Sequence, residues 1–248
     1  MPPLGLHMTV ARELAGDLRA PALDADRGAY YLGATTPDIR ILTRWDRGRT
    51  HFFDLHCFDP QSGVHRLFEQ EPGLRDGAAL DAATAAFMAG YISHLVMDEE
   101  YITQIYRQYF GKGGVLGDEL MADVMDRLLQ LHLDRQERED AQAVSEIRDA
   151  LARTAVEVAV DFIAHDTLLE WRDRQIDVIG AAPHFEKMMS RQLHAAGIEG
   201  EEEIATFMEQ HADELLRGTI ERVGEERIRE YLSGAKAKAR EAMREYLS

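Results

Sequence analysis

The segment Phe87-Met88-Ala89-Gly90-Tyr91-Ile92-Ser93-His94-Leu95-Val96-Met97-Asp98 is apolar on every side of a helical period, yet carries an imidazole and a carboxylate four positions apart. A helix with no polar face has no face in water. The segment belongs to the longest weakly polar run of the chain, the 16 residues from Ala82 to Met97, interrupted by Thr84, Ser93 and His94 and closed by Asp98. A membrane span needs about 20 apolar residues, so this run reads as a buried core helix.

Outward from it the helical period persists. Phe87, Tyr91, Leu95, Ile102 and Tyr106 recur every three to four positions between Ala78 and Phe110, with Gly111 as a stop. A second long helix is expected after the glycine-rich turn Gly111 to Gly117. A third runs from about Gln142 to Trp171 on Ile147, Leu151, Val158, Phe162 and Leu169. Pro183 begins another. Glu201-Glu202-Glu203 places negative charge where the first turn of a helix favours it. Ile220, Val223, Ile228, Tyr231, Ala235, Ala239, Met243 and Tyr246 form a final apolar stripe. Residues 40 to 77, rich in Arg, Asp, Gly and His, read as long loops with a short helix from Val64 to Gln70. No segment alternates as a strand does. The expected fold is therefore all-α, a multi-helix bundle in one domain over 1–248. Residues 1–135 carry its chemistry. Residues 136–248 add helices that complete the core, cap a cleft or make a dimer, three readings that stay open.

Composition narrows the function. The 248 residues hold 45 acidic against 28 basic side chains, a net charge of −17, which disfavours a stable complex with nucleic-acid backbones. With 45% hydrophobic residues the chain has material for a core and is not a disordered acidic tail. The single cysteine, Cys57, excludes an internal disulfide framework. The start, Met1-Pro2-Pro3-Leu4-Gly5-Leu6-His7-Met8, lacks the basic stretch and apolar run of a secretory signal, so a cytoplasmic location is expected. Phosphate loops, dinucleotide fingerprints and nucleophile elbows have no matching motif.

His94 and Asp98 gain meaning from their surroundings. With 10 histidines and 21 aspartates, a His-x-x-x-Asp spacing arises by chance about once in a chain of this length. Residues four apart on a helix share a face, and a carboxylate inside an apolar helix needs a cation, a donor or solvent. A metal ion satisfies that need; so does a His–Asp hydrogen bond tying two helices together.

Three more segments bear on the choice. Gly5-Leu6-His7-Met8-Thr9 puts a histidine at the head of the first amphipathic helix. Tyr30-Tyr31-Leu32-Gly33-Ala34-Thr35-Thr36-Pro37-Asp38-Ile39 is an apolar segment ending in Pro-Asp. Thr50-His51-Phe52-Phe53 sets a histidine beside aromatic residues. In this order, followed by Gly90-Tyr91-x-x-His94-x-x-x-Asp98, they resemble the zinc-dependent phospholipase C family, whose fold is shared with fungal single-strand-specific nucleases. The resemblance covers residues 1–110. It implies an all-α fold in which helices deliver ligands to divalent metal, zinc in that family, for the hydrolysis of phosphodiesters. Position by position, it implies His51, His94 and Asp98 as ligands of one ion, His7 with a bridging Asp98 as ligands of a second, and Asp38 as a ligand or the catalytic base that orients water. The substrate so implied is a small phosphate ester or a phospholipid-like molecule.

The chain also departs from that pattern. No tryptophan precedes His7, and no His-x-x-x-Glu follows Asp98; the only such pair, His65 and Glu69, comes before it. A three-metal cluster is therefore not expected, and one or two ions are, with Glu119, Asp123 and Asp126 as substitute oxygen ligands or, in the plainer reading, a solvated helix face. Imidazole and carboxylate donors suit zinc but also iron and manganese. A helical metal- or ligand-binding protein without turnover remains the alternative function. His165-Asp166, the Asp54 and His56 neighbours of His51, and the patch Arg40, Arg44, Arg47, Arg49 all read more simply as surface or loop positions, although the arginines could meet a substrate phosphate.

Overall fold

Asp81 caps the helix around which the chain is built. Its Oδ1 accepts from the Thr84 backbone N–H at 2.9 Å and its Oδ2 from the Thr84 hydroxyl at 2.6 Å. The same hydroxyl accepts from the Ala159 N–H at 2.8 Å, tying the start of the helix to a distant loop. A computed structural model describes residues 3–55, 57–117, 119–137, 139–180 and 185–248. In chain order its helices are α1 Leu4–Leu18, α2 Pro21–Ala25, α3 Arg27–Gly33, α4 Arg40–Thr43, α5 Gly48–His51, α6 Gly63–Gln70, α7 Ala82–Tyr101, α8 Ala122–Glu137, α9 Ala141–Arg153, α10 His165–Gly180, α11 Phe185–Ala195, α12 Glu201–Val223 and α13 Glu225–Tyr246. Among the described residues there is no strand, and no helix is long and apolar enough to cross a membrane.

Helix α7 is the buried helix expected from its sequence, enclosed by α3, α13 and α2, with α1 and α6 beside them. Leu6, Met8, Val10 and Leu14 of α1, Tyr30 and Leu32 of α3, Phe87, Tyr91, Ile92 and Leu95 of α7, and Tyr231, Ala235, Ala239 and Met243 of α13 belong to one core. The C-terminal stripe thus completes the main core. A second, smaller core lies where α8, α11 and α12 meet, around Val124, Leu131, Met189, Leu193 and Ile204.

Three expectations are corrected. The period from Ala78 to Phe110 does not give one α-helix: beyond Tyr101 the backbone widens into a π-helix, Ile102–Phe110, and the Gly111 N–H reaches the Tyr106 carbonyl five residues back at 2.7 Å. The span from Gln142 to Trp171 is broken between Arg153 and His165. Thr154, Val156, Val158 and Val160 lose side-chain freedom in a helix, the Thr154 hydroxyl finds Asp26 at 3.0 Å, and Val156 adopts φ of 57°. Residues 40 to 77 are less irregular than expected, because α4 and α5 lie within them besides α6, the short helix that was expected there. The start expected at Pro183 lies outside the described residues; α11 is described from Phe185.

Two glycines set the distance between α3 and α7. A Cβ on Gly33 would collide with the Phe87 carbonyl. One on Gly90 would collide with the Tyr30 carbonyl and stand 2.7 Å from the Ala34 nitrogen. All these are backbone atoms, which cannot rotate away, so the helices touch main chain to main chain. At the start of α1, Pro3 offers no side-chain cap. The buried Asp134 of α8 takes that role and accepts from the Leu6 N–H at 2.6 Å, placing a carboxylate at the positive end of the helix beside His7.

Gly90→Ala should lower the free energy of unfolding by about 3 kcal/mol or more, at or above the upper end for overpacking because backbone must move; urea denaturation followed by circular dichroism measures it. Asp81→Ala should lower it by about 1 kcal/mol at neutral pH. Burial raises the Asp81 carboxyl, but the hydrogen bonds from Thr84 outweigh it and hold it below its ordinary range. The cap therefore contributes fully above the unfolded-state value and fades as pH falls through the lowered folded one. The gap between wild type and variant in thermal melts should close below about pH 4.

Candidate metal centre

Four elements deliver five side chains to one place beside α7. His7 comes from the first turn of α1, Asp38 from the short 3-10 turn Thr36–Ile39 after α3, His51 from the last position of α5, and His94 and Asp98 from successive turns of α7. The backbone contact at Gly90 holds α3 and the Asp38 turn against α7. After His51 the chain turns sharply, with buried Phe52 at φ of 55°, a strained conformation for a bulky residue. The Tyr91 hydroxyl donates to the Thr50 carbonyl and secures α5 from below. From above, Arg107 in the π-helix donates to the carbonyls of Asp54, Leu55 and Cys57 at 3.2, 3.1 and 2.6 Å, which fixes the loop that follows His51.

The distances centre on Asp98. Its Oδ1 lies 3.4 Å from His7 Nε2; its Oδ2 lies 3.3 Å from His51 Nε2 and 3.7 Å from His94 Nε2. Asp38 Oδ1 lies 3.5 Å from His51 Nε2. The His7 and His94 rings stack with centroids 3.7 Å apart, and His51 meets His94 edge-on. Two sets, His7–His94–Asp98 and Asp38–His51–His94, each offer ligand atoms lying within 4.8 Å of one another and can hold a metal ion. The division differs from the one the family resemblance implies, because His94 rather than Asp98 is common to both.

A divalent cation fits these residues on an observation of their own. His7 Nε2, His51 Nε2, His94 Nε2 and Asp98 Oδ1 are buried and have no hydrogen-bond partner. Behind three of them the other polar atom is engaged, whereas His7 Nδ1 is also buried without a partner. His94 Nδ1 bonds the Ala34 carbonyl at 2.8 Å, His51 Nδ1 bonds the Thr50 hydroxyl at 3.2 Å, and Asp98 Oδ2 accepts from Arg47 at 2.8 Å. Partners of this kind orient metal-ligating side chains. The helix tie considered for His94 therefore exists, but through Nδ1 to a backbone carbonyl, which leaves Nε2 facing Asp98.

Charge follows from burial and proximity. Burial, with the positive charge of His94 added, lowers His7 to about 4, so its imidazole is neutral and its nitrogen lone pair available at neutral pH. Burial opposes protonation of His94, but Asp98 and Asp38 outweigh it and raise that imidazole. Burial alone would raise both aspartates; the surrounding imidazoles reverse this and hold both well below the carboxylate range. The Asp38 and Arg47 side chains are 14% and 12% exposed against 4% or less for the other four members, so the cluster meets solvent on their side.

Several residues prove to be elsewhere. Glu119 pairs with Arg222 at 2.7 Å, Asp123 is exposed, and Asp126 is taken by the Tyr101 hydroxyl and Gln130 at 2.6 and 2.7 Å. His65 and Glu69 make an exposed pair on α6, and His165 and Asp166 lie exposed on α10. His56 is outside the described residues. Arg47 was legible only as part of a basic loop and is instead a partner of Asp98. Tyr231 on α13 was legible only as core: its buried hydroxyl has no partner, and burial and the charge of Asp98 raise it well above its ordinary value. Comparison with family models, curated proteins and solved structures finds no match for this chain.

His94→Ala and Asp98→Ala should each reduce bound divalent metal to a small fraction of wild type while the helical circular dichroism is kept; elemental analysis of protein purified without chelator reads the difference. In the metal-free protein Asp98→Ala should also cost about 3 kcal/mol in urea denaturation, since it leaves the mostly buried Arg47 without that carboxylate.

Proposed function

We propose that this protein is a metal-dependent hydrolase of phosphate esters, holding its metal in the manner of the zinc-dependent phospholipases C that its first 110 residues resemble. One observation carries the reading: three imidazole nitrogens and one carboxylate oxygen, from His7, His51, His94 and Asp98, converge in the interior without hydrogen-bond partners. A buried polar atom left unsatisfied costs about 1–3 kcal/mol, so four in one place call for an occupant. The donor set suits zinc, and also iron or manganese. A neutral imidazole has one acceptor nitrogen, and His94 is common to both candidate sets, which favours a single ion.

When bound, a divalent ion lowers the pKa of its water towards about 7 and stabilises charge on phosphoryl oxygens. The chain's residues do the rest. The Ala34 carbonyl and the Thr50 hydroxyl fix the His94 and His51 rings, and Arg47 fixes the Asp98 carboxylate. Asp38, ionised and on the solvent side, accepts a hydrogen bond from incoming water and orients it. Held so far below the ordinary range, it is better suited to orienting that water than to removing its proton.

A second reading has its own support. A surface cavity of about 570 Å³ opens between α8 and α12, lined by Met125, Phe207, His211 and Leu215 and by no member of the cluster. A helical metal-binding or assembly protein without turnover would need no cleft at its metal. Hydrolysis of bis(p-nitrophenyl) phosphate and p-nitrophenyl phosphate, with zinc, manganese or iron and after dialysis against EDTA, separates the two. Activity that follows metal content, and falls about a hundredfold or more in Asp38→Asn with metal retained, supports the hydrolase. Bound metal without turnover in any added ion selects the binding protein, and a chain that takes up no metal overturns both.

A further inference from the structure

Arg40 is an exception among the half-buried arginines. Arg12 pairs with Glu146 at 2.7 Å and Arg172 with Asp173 at 2.7 Å. Arg40, on the first turn of α4, is half-buried, and its Nε is buried without a partner. No described carboxylate lies within ion-pair distance of it, although the chain has 45 acidic residues against 28 basic ones. Its charge acts on Arg47, the partner of Asp98. Arg40 follows Asp38 by two residues, and α4 and α5 both pack on the turn that carries Asp38. Two guanidiniums, near enough for the charge of one to act on the other, thus belong to the elements that flank the Asp38 turn.

The charges in this region can be counted. Asp38 and Asp98 contribute two negative charges, Arg40 and Arg47 two positive ones, and neutral imidazoles none. A divalent ion held by either candidate set, with its water still neutral, leaves an excess of two positive charges. The monoanion of a phosphodiester cancels half of that excess; the dianion of a phosphomonoester cancels all of it. Uncompensated charge away from water is costly, and guanidiniums suit phosphate oxygens, which they can meet with two donors each.

We infer that Arg40 and Arg47 form a receptor for a phosphate dianion at the solvent side of the metal cluster, so that the site selects phosphomonoesters over phosphodiesters. The inference rests on the hydrolase reading and narrows its substrate class. In the reaction the oxygen of water bonds to phosphorus, the ester P–O bond breaks, and a proton from the water passes to the leaving oxygen, giving an alcohol and orthophosphate. Arg40 carries the selectivity because no described carboxylate competes for it. Arg47 also serves Asp98, so its removal would disturb the metal as well.

The test uses zinc-loaded full-length protein, with inorganic phosphate as the titrant in calorimetry and the two nitrophenyl esters as substrates. Arg40→Gln should weaken phosphate binding about tenfold to a hundredfold, the range for one charge-assisted contact. It should lower kcat/KM for p-nitrophenyl phosphate by a similar factor, lower that for the diester by clearly less, and leave zinc content unchanged. Arg40→Lys, which keeps the charge but not the fork, should recover part of the loss. Equal phosphate affinity in wild type and Arg40→Gln overturns the inference, as does a wild type that prefers the diester; in both cases bound zinc with turnover leaves the hydrolase reading standing. If no zinc binds, the hydrolase reading falls, and the inference, whose excess positive charge comes from the ion, falls with it.

Discussion

A carboxylate ionised inside a helix that has no wet face constrains everything near it. Asp98 sits buried on α7, which other helices enclose, and taking its charge out of water is costly unless it is paired and hydrogen-bonded. Its surroundings respond as a group. Arg47 reaches in from the α5 region, His7 arrives on α1, His51 ends α5, and His94 lies one turn away on the same helix. The strained turn at Phe52, the capping of α1 by Asp134 and the grip of the π-helix on the loop after His51 all serve to keep these groups in place.

The main-chain contact of α3 with α7 works on the same problem from the other side. Because Gly33 and Gly90 lack side chains, the Ala34 carbonyl comes within reach of His94 Nδ1 and turns that ring so that its other nitrogen faces Asp98. The same approach carries Thr36–Ile39, and with it Asp38, to the edge of the cluster. Fold and site are therefore set by the same few backbone atoms.

The all-helical class and the buried character of α7 were legible because an apolar run of that length has few other ways to be satisfied in water. Helix ends were less so. The period continues past Tyr101, and a period does not record that the spacing of backbone hydrogen bonds has changed. At Thr154 to Val160 apolar residues recur at helical intervals, but their β-branched side chains and the partner waiting at Asp26 decide the outcome, and the second of these is tertiary. The five donor residues were found because the order of their motifs resembles a known pattern; the Ala34 carbonyl, the Thr50 hydroxyl, Arg47 and Tyr231 were not. A backbone carbonyl has no signature in a sequence. An arginine in an irregular segment looks the same whether it faces solvent or a buried carboxylate.

The near-complete burial of the three histidines has a kinetic side. A chelator can approach an ion held here only from the side of Asp38 and Arg47, while the three imidazoles are out of its reach, so complete release is slowed until a local opening of the α5 segment frees them. Exchange would then be governed by how often the protein breathes, not by how tightly the ligands bind. An ion acquired during folding would leave slowly, and the metal first found there would record what was at hand when the chain closed.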